Sequence, residues 1–126
     1  MTEKDLKERT KQFALRIVKL VNSLPKTTTG IEFGEQIFMS GTSVAANYRA
    51  ACRAKSNKDF IYKLEVVLEE ADETLLCFEL ISDSETMEKK KLEQLMDETN
   101  QLVSIFTKSI ITTKNRSQKS NLTSKI

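Results

Sequence analysis

The run Glu35-Gln-Ile-Phe-Met-Ser-Gly-Thr-Ser-Val-Ala-Ala-Asn-Tyr-Arg49 has no charged side chain between its two ends. At about 100° per residue, Ile37, Gly41, Val44, Tyr48 and Ala51 fall on one stripe of a helix. Phe38, Thr42, Ala45 and Ala46 lie well away from that stripe, yet all are apolar or small. A helix uncharged all round is buried on more than one side. One side belongs to the core of the chain, and the second is expected to meet another subunit. Thr29 followed by Glu32 fits a capping box, which places the start of this helix at Gly30 or Ile31 and its end near Lys55.

Upstream, Leu6, Phe13, Ile17, Leu20 and Leu24 form one stripe, widened by Ala14 and Val21, so a first helix is predicted from about Glu3 to Leu24. Pro25 stops it, and Lys26–Gly30 makes the connection. Downstream, Ser56 or Asn57 caps a third helix with Phe60, Leu64, Val67, Leu68, Ala71, Leu75 and Phe78 on its inner face. The opposite face is mixed: Tyr62, Val66, Glu69, Glu73, Leu76 and Leu80. It is too apolar for free solvent, and its glutamates need cations. Arg49 and Arg53, one turn apart on the second helix, are the expected partners, within the bundle or across subunits.

Ser82-Asp83-Ser84 breaks the chain again, and Leu92, Leu95, Met96, Thr99, Leu102, Val103, Phe106 and Ile110 line a fourth helix. Beyond Thr112 there is little to bury, so the expected division is a bundle over 1–113 and a basic, disordered tail over 114–126. Short connections between helices of similar length force antiparallel neighbours, hence an all-α, up-and-down four-helix bundle. Three Gly and one Pro in 126 residues agree with long helices, because a β-rich domain of this size needs turn residues about every 8–12 positions.

Composition narrows the chemistry. There is no histidine, which removes His-dependent nucleophilic triads, the usual zinc sets and the Glu-x-x-His pairs of di-iron bundles. Glu65, Glu69, Glu70, Asp72 and Glu73 spread around their helix axis and are read as solvated or salt-bridged. Gly30, Gly34 and Gly41 are too scattered for a phosphate loop. No catalytic residue, metal ligand or cofactor is expected. Cys52 and Cys77, without CxxC spacing, are read as reduced, buried thiols. No run approaches the roughly 20 apolar residues that span a bilayer, and the charged N-terminus lacks a signal peptide's apolar segment, so a cytoplasmic protein is expected.

Net charge is only +2, but it is unevenly distributed. Residues 1–63 carry 12 Lys/Arg against 6 Asp/Glu, residues 64–107 carry 3 against 12, and residues 108–126 carry 5 against none. A basic front and tail around an acidic middle suit subunits that pair by charge, or contact with nucleic acid. The candidate phosphate-binding residues are Lys7, Lys11, Arg16 and Lys19 on the first helix with Lys55 and Lys58 at the second turn. The candidate assembly residues are Phe38, Thr42, Ala45, Arg49, Arg53, Tyr62, Glu69, Glu73 and Leu76.

The segments Ser40-Gly-Thr-Ser-Val-Ala-Ala-Asn-Tyr-Arg49, Ala54-Lys-Ser56, Asp59-Phe60, Lys63-Leu64 and Glu69-Glu-Ala-Asp-Glu-Thr-Leu75 closely resemble the bacterial four-helix-bundle proteins also called 23S ribosomal RNA intervening-sequence or S23 ribosomal proteins. The accessory protein of diversity-generating retroelements looks like a relative. The resemblance implies a homopentameric ring without enzymatic activity, associated with RNA or DNA and, by the retroelement analogy, with a reverse transcriptase. Two departures stand out: Met39 occupies a position where arginine is common, and Leu76-Cys77 replaces an aromatic pair. Two functions are weighed: a nucleic-acid-associated adaptor, which the basic first half, the basic tail and the resemblance support, and, as the alternative, a purely structural or protein-interaction bundle, which the modest net charge and the acidic third helix support.

Overall fold

The computed structural model describes residues 1–124, with side chains described as far as Lys119. Four helices follow in order, α1 (Glu3–Ser23), α2 (Thr28–Cys52), α3 (Asn57–Asp83) and α4 (Lys89–Ser124). Several of their ends have a local cause. Thr2 and Asp5 form a reciprocal capping box at α1, with the Asp5 N–H donating to Thr2 Oγ1 (3.1 Å) and the Thr2 N–H to Asp5 Oδ2 (2.9 Å). Those hydrogen bonds hold the Asp5 carboxyl below its ordinary pKa. Leu24 turns to extended backbone in front of Pro25, and α1 ends there.

The second helix starts two to three residues earlier than the Thr29–Glu32 box implied. Thr27 is the N-cap, its hydroxyl accepting from the Gly30 N–H at 3.1 Å. The early start folds Gly30 under the preceding turn, where an added Cβ would lie 2.0 Å from the Pro25 carbonyl oxygen. The helix also stops at Cys52, short of Lys55. Ser56 caps α3 by accepting from the Asp59 N–H (3.1 Å), while the Asp59 carboxylate accepts from the Lys55 N–H (3.1 Å) and pairs with Lys63 (3.2 Å). At the far end of α3, Glu85 sits in the left-handed region (φ 60°). Its N–H reaches Ser82 O and the Thr86 N–H reaches Ile81 O, both at 3.0 Å, which is the Schellman pattern.

In sequence order each helix packs against the next, and α1 and α4 close the bundle with a lighter approach. The core is Phe13, Ile17, Ile37, Val44, Leu64, Val67, Phe78, Ile81, Leu92, Leu102 and Phe106, all fully buried, with the Tyr48 and Phe106 rings 5.5 Å apart. Gly41 lets α1 and α2 approach closely, since a Cβ there would meet Ile17 Cγ1 at 2.8 Å.

The fourth helix is the main departure from expectation. It does not fray at 114 but continues to Ser124. Thr113 Oγ1 bonds the Ser109 carbonyl at 2.8 Å, Asn57 Nδ2 donates to Ser117 Oγ at 3.1 Å, and Lys114 Nζ lies 3.9 Å from Glu65 Oε1. With no Gly or Pro to break it, a polar segment stays helical where α3 gives it a surface. The remaining two residues of the expected tail, 125–126, lie outside the described residues.

Candidate nucleic-acid interface

The outer face of α2 and α3 emerges much as the periodicity placed it. Phe38 (43% exposed), Leu76 (55%) and Tyr62 (64%) point outward, while Thr42 and Ala45 are half-buried. Ile31, Met39 and Leu80 add to the exposed apolar surface. At its end lies a cavity of about 420 Å³ lined largely by Val21, Leu24, Pro25, Ile31, Gly34 and Phe38.

The glutamates and arginines of this face do not meet within the chain. Among the described residues no ion pair joins Arg49 or Arg53 to Glu69 or Glu73. Register separates every one of these pairs except Arg49 and Glu69. Thr74 Oγ1 lies 2.9 Å from Ser40 Oγ, which sets these two positions level on the antiparallel pair. Arg49 is then level with Glu65, and Glu73 lies eight residues further along α3, about 12 Å at 1.5 Å per residue. Glu69 and Glu73 have no ion-pair partner among the described residues. Burial and the neighbouring Glu73 and Glu69 push the Glu70 carboxyl up from its ordinary value. The Ser40–Thr74 contact itself was not foreseen. Both residues are buried, and the outward signal was only that Ser40 and Thr74 occupy positions adjoining their core stripes.

The basic candidates separate into two groups. Lys7, Lys55 and Lys58 lie toward the end of the bundle formed by the start of α1, the second turn and the last third of α4. Lys7 is paired with Glu3 (3.5 Å), Lys55 borders a hollow with Glu3 and Cys52, and Lys58 lies beside Lys114, Ser117 and Gln118. Arg16 and Lys19 lie in a cleft between α1 and α4, with Lys91, Gln94 and Ser23 around its rim. Lys11 is exposed on α1 between the two. A single continuous patch over all six residues is therefore not formed. Arg9, on the same basic flank of α1 as Arg16 and Lys19, is engaged inside the bundle: its guanidinium grips Glu98 through Nε (2.9 Å) and Nη2 (2.6 Å) and reaches Gln101 (2.8 Å). That grip raises the Arg9 pKa.

Among the described residues, no group of three His, Cys, Asp or Glu side chains is placed to hold a metal ion. Both cysteines are free thiols. Burial pushes Cys77 up to about 11, and its thiol donates to the Phe33 carbonyl (3.6 Å). Burial raises Cys52 too. Neither thiol is primed as a nucleophile. No described helix is long and apolar enough to cross a membrane.

The fold and sequence have relatives. A crystal structure at 1.70 Å of a protein of unknown function from the S23 ribosomal protein family of Bacteroides thetaiotaomicron VPI-5482 superposes with a TM-score of 0.81. It is 33% identical, and the alignment covers 87% of this chain and 98% of that one. No curated protein matches the chain. The model of the 23S rRNA-intervening sequence protein family matches residues 2–108, which takes in α1, α2, α3 and most of α4. By that match, and by the bundle and its helix order, the chain belongs to the 23S rRNA-intervening sequence protein family.

Proposed function

We propose that this protein is a non-enzymatic, self-assembling helical bundle that holds nucleic acid by its phosphates. The observation that carries this reading is a one-signed stretch. From Arg9 to Ile31 the chain contains Arg9, Lys11, Arg16, Lys19 and Lys26 and no carboxylate. Only Arg9 of these is taken up in an ion pair among the described residues. Such a surface neutralises phosphates and reads no base edges, so binding is electrostatic and indifferent to sequence. The family's association with an rRNA insert makes structured RNA the first ligand to test, and a reverse transcriptase is a candidate protein partner.

Self-assembly is supported by the exposed Ile31, Phe38, Met39, Leu76 and Leu80 and by charges of both signs on this face without ion-pair partners among the described residues. A ring of five, which the family resemblance implies, would repeat each basic surface around an axis, so weak phosphate contacts add by multivalency. The test is a salt titration of binding to two unrelated structured RNAs. Equal affinities that fall steeply and in parallel with salt are expected. Tight binding to one sequence that survives high salt overturns the electrostatic reading. Absence of binding at low salt hands the case to a purely structural or protein-interaction bundle, which the apolar face alone favours.

A further inference from the structure

Two places along the α1–α4 seam, seven residues apart on each helix, have opposite electrostatic character. One rung is Arg9 against Glu98, joined by two hydrogen bonds at 2.9 and 2.6 Å. In an antiparallel pair, moving seven residues forward on α1 and seven back on α4 brings Arg16 opposite Lys91, on the same faces of the two helices. Both residues do line one cleft of about 370 Å³, together with Lys19, Gln94 and Ser23 at the rim and Leu20, Met87 and Leu95 as a buried floor. No carboxylate is among the lining residues. Arg16, Lys19 and Lys91 have no ion-pair partner among the described residues, whereas Lys7, Lys63 and Lys114 are each matched by a glutamate or aspartate.

Three cations gathered across a helix seam repel one another, and the adjoining rung shows that a glutamate at the α4 position would fit. We propose that this cleft is a phosphate-binding site and that its ligand is a backbone phosphate of nucleic acid. The guanidinium of Arg16 supplies a planar pair of donors, Lys19 and Lys91 supply point charges, and the Gln94 amide adds a neutral donor. The hydroxyl of Ser23 is already committed to the Leu20 carbonyl (2.8 Å) and contributes shape more than hydrogen bonding. This inference rests on the nucleic-acid reading above but narrows it, placing the contact at the α1–α4 cleft and away from Lys7, Lys55 and Lys58.

The decisive variant is Lys91→Glu, which makes the second rung a copy of the first. It is expected to raise the melting temperature and to weaken binding of a structured RNA hairpin by about tenfold at low salt. The milder pair Arg16→Gln with Lys91→Gln is expected to weaken binding similarly and to flatten the salt slope by about two units, one per lost contact. It also covers the case in which the charge reversal disturbs folding, as judged by circular dichroism. Lys7→Gln with Lys55→Gln tests the other basic end: a change of less than about twofold supports the cleft, and a loss as large as that of the cleft variants overturns its placement. If the cleft variants bind RNA as the unmodified chain does, the inference is overturned while the nucleic-acid reading stands. If the unmodified chain binds no RNA at low salt, that reading fails, and inorganic phosphate becomes the probe. Thermal stabilisation by phosphate beyond that of chloride at equal ionic strength, absent in Lys91→Glu, then supports the site, and no such stabilisation overturns it.

Discussion

Two glycines on α2 make the packing of single residues testable, because they face α1 with different clearances. At Gly41 a Cβ would lie 2.8 and 3.0 Å from the two γ-carbons of Ile17, a fully buried, β-branched side chain with no rotamer to escape into. At Gly34 the nearest atoms, Val21 Cγ1 and Leu24 Cδ1, stand at 3.5 and 3.6 Å, ordinary contact. Alanine at Gly34 gains helix propensity of about 0.5–1 kcal/mol. At Gly41 the same gain is outweighed by overpacking of about 1–3 kcal/mol. Thermal or denaturant unfolding is therefore expected to show Gly34→Ala stabilised and Gly41→Ala destabilised, and equal shifts of the same sign would contradict the close helix approach. The sequence showed that Gly41 lies on the core stripe, since periodicity locates a face. It did not show Ser40 against Thr74, because a hydroxyl beside the stripe is equally satisfied by its own helix carbonyl, and only the partner helix decides.

At the scale of helices, the number, order and inner faces followed from spacing of apolar residues, while the ends did not. Three consecutive threonines, Thr27, Thr28 and Thr29, offer the same capping hydroxyl, and local sequence cannot choose among them. The structure uses Thr27, so Thr27→Ala should cost about 1 kcal/mol and Thr29→Ala close to nothing. The reverse order would restore the Thr29–Glu32 capping box. Glu85 offers a second check. A non-glycine residue at φ 60° costs about 1–2 kcal/mol relative to glycine, and the Schellman bonds on either side fix it there. Glu85→Gly is accordingly expected to raise stability by about 1 kcal/mol after the entropy of the unfolded glycine is allowed for. A loss of stability would mean that the Glu85 side chain makes a contribution larger than its backbone strain. The end of α4 escaped sequence reading for a related reason. Its composition alone does not bury enough to order it, and its helicity comes from contacts with Asn57 and Glu65, sixty and forty-nine residues away in the chain.

In the whole molecule, the candidate sites divide according to what a sequence can express. The outer stripe of α3, Tyr62, Val66, Glu69, Glu73, Leu76 and Leu80, steps by four and three and was legible as a face. The cleft of Arg16, Lys19 and Lys91 was not, because it needs the register of two helices at opposite ends of the chain. The same register separates Arg49 from Glu73, and Arg53 from both glutamates, within one subunit, and this leads to the prediction about assembly. Four charges of two signs on a half-apolar face, without ion-pair partners among the described residues, are matched if a second copy presents its α2 to this copy's α3, or the reverse. Light scattering at micromolar concentration should therefore give a multiple of 14.4 kDa, and a mass near 14.4 kDa itself would overturn self-assembly. Phe38→Glu with Leu76→Glu, both on exposed positions that leave the core intact, should lower the mass without loss of helicity. Arg49→Glu and Glu73→Arg should each weaken assembly, because each sets like charges face to face, and the double variant should recover it. If the two single variants weaken assembly and the double variant is weaker still, the two charges act independently and do not face each other across the interface.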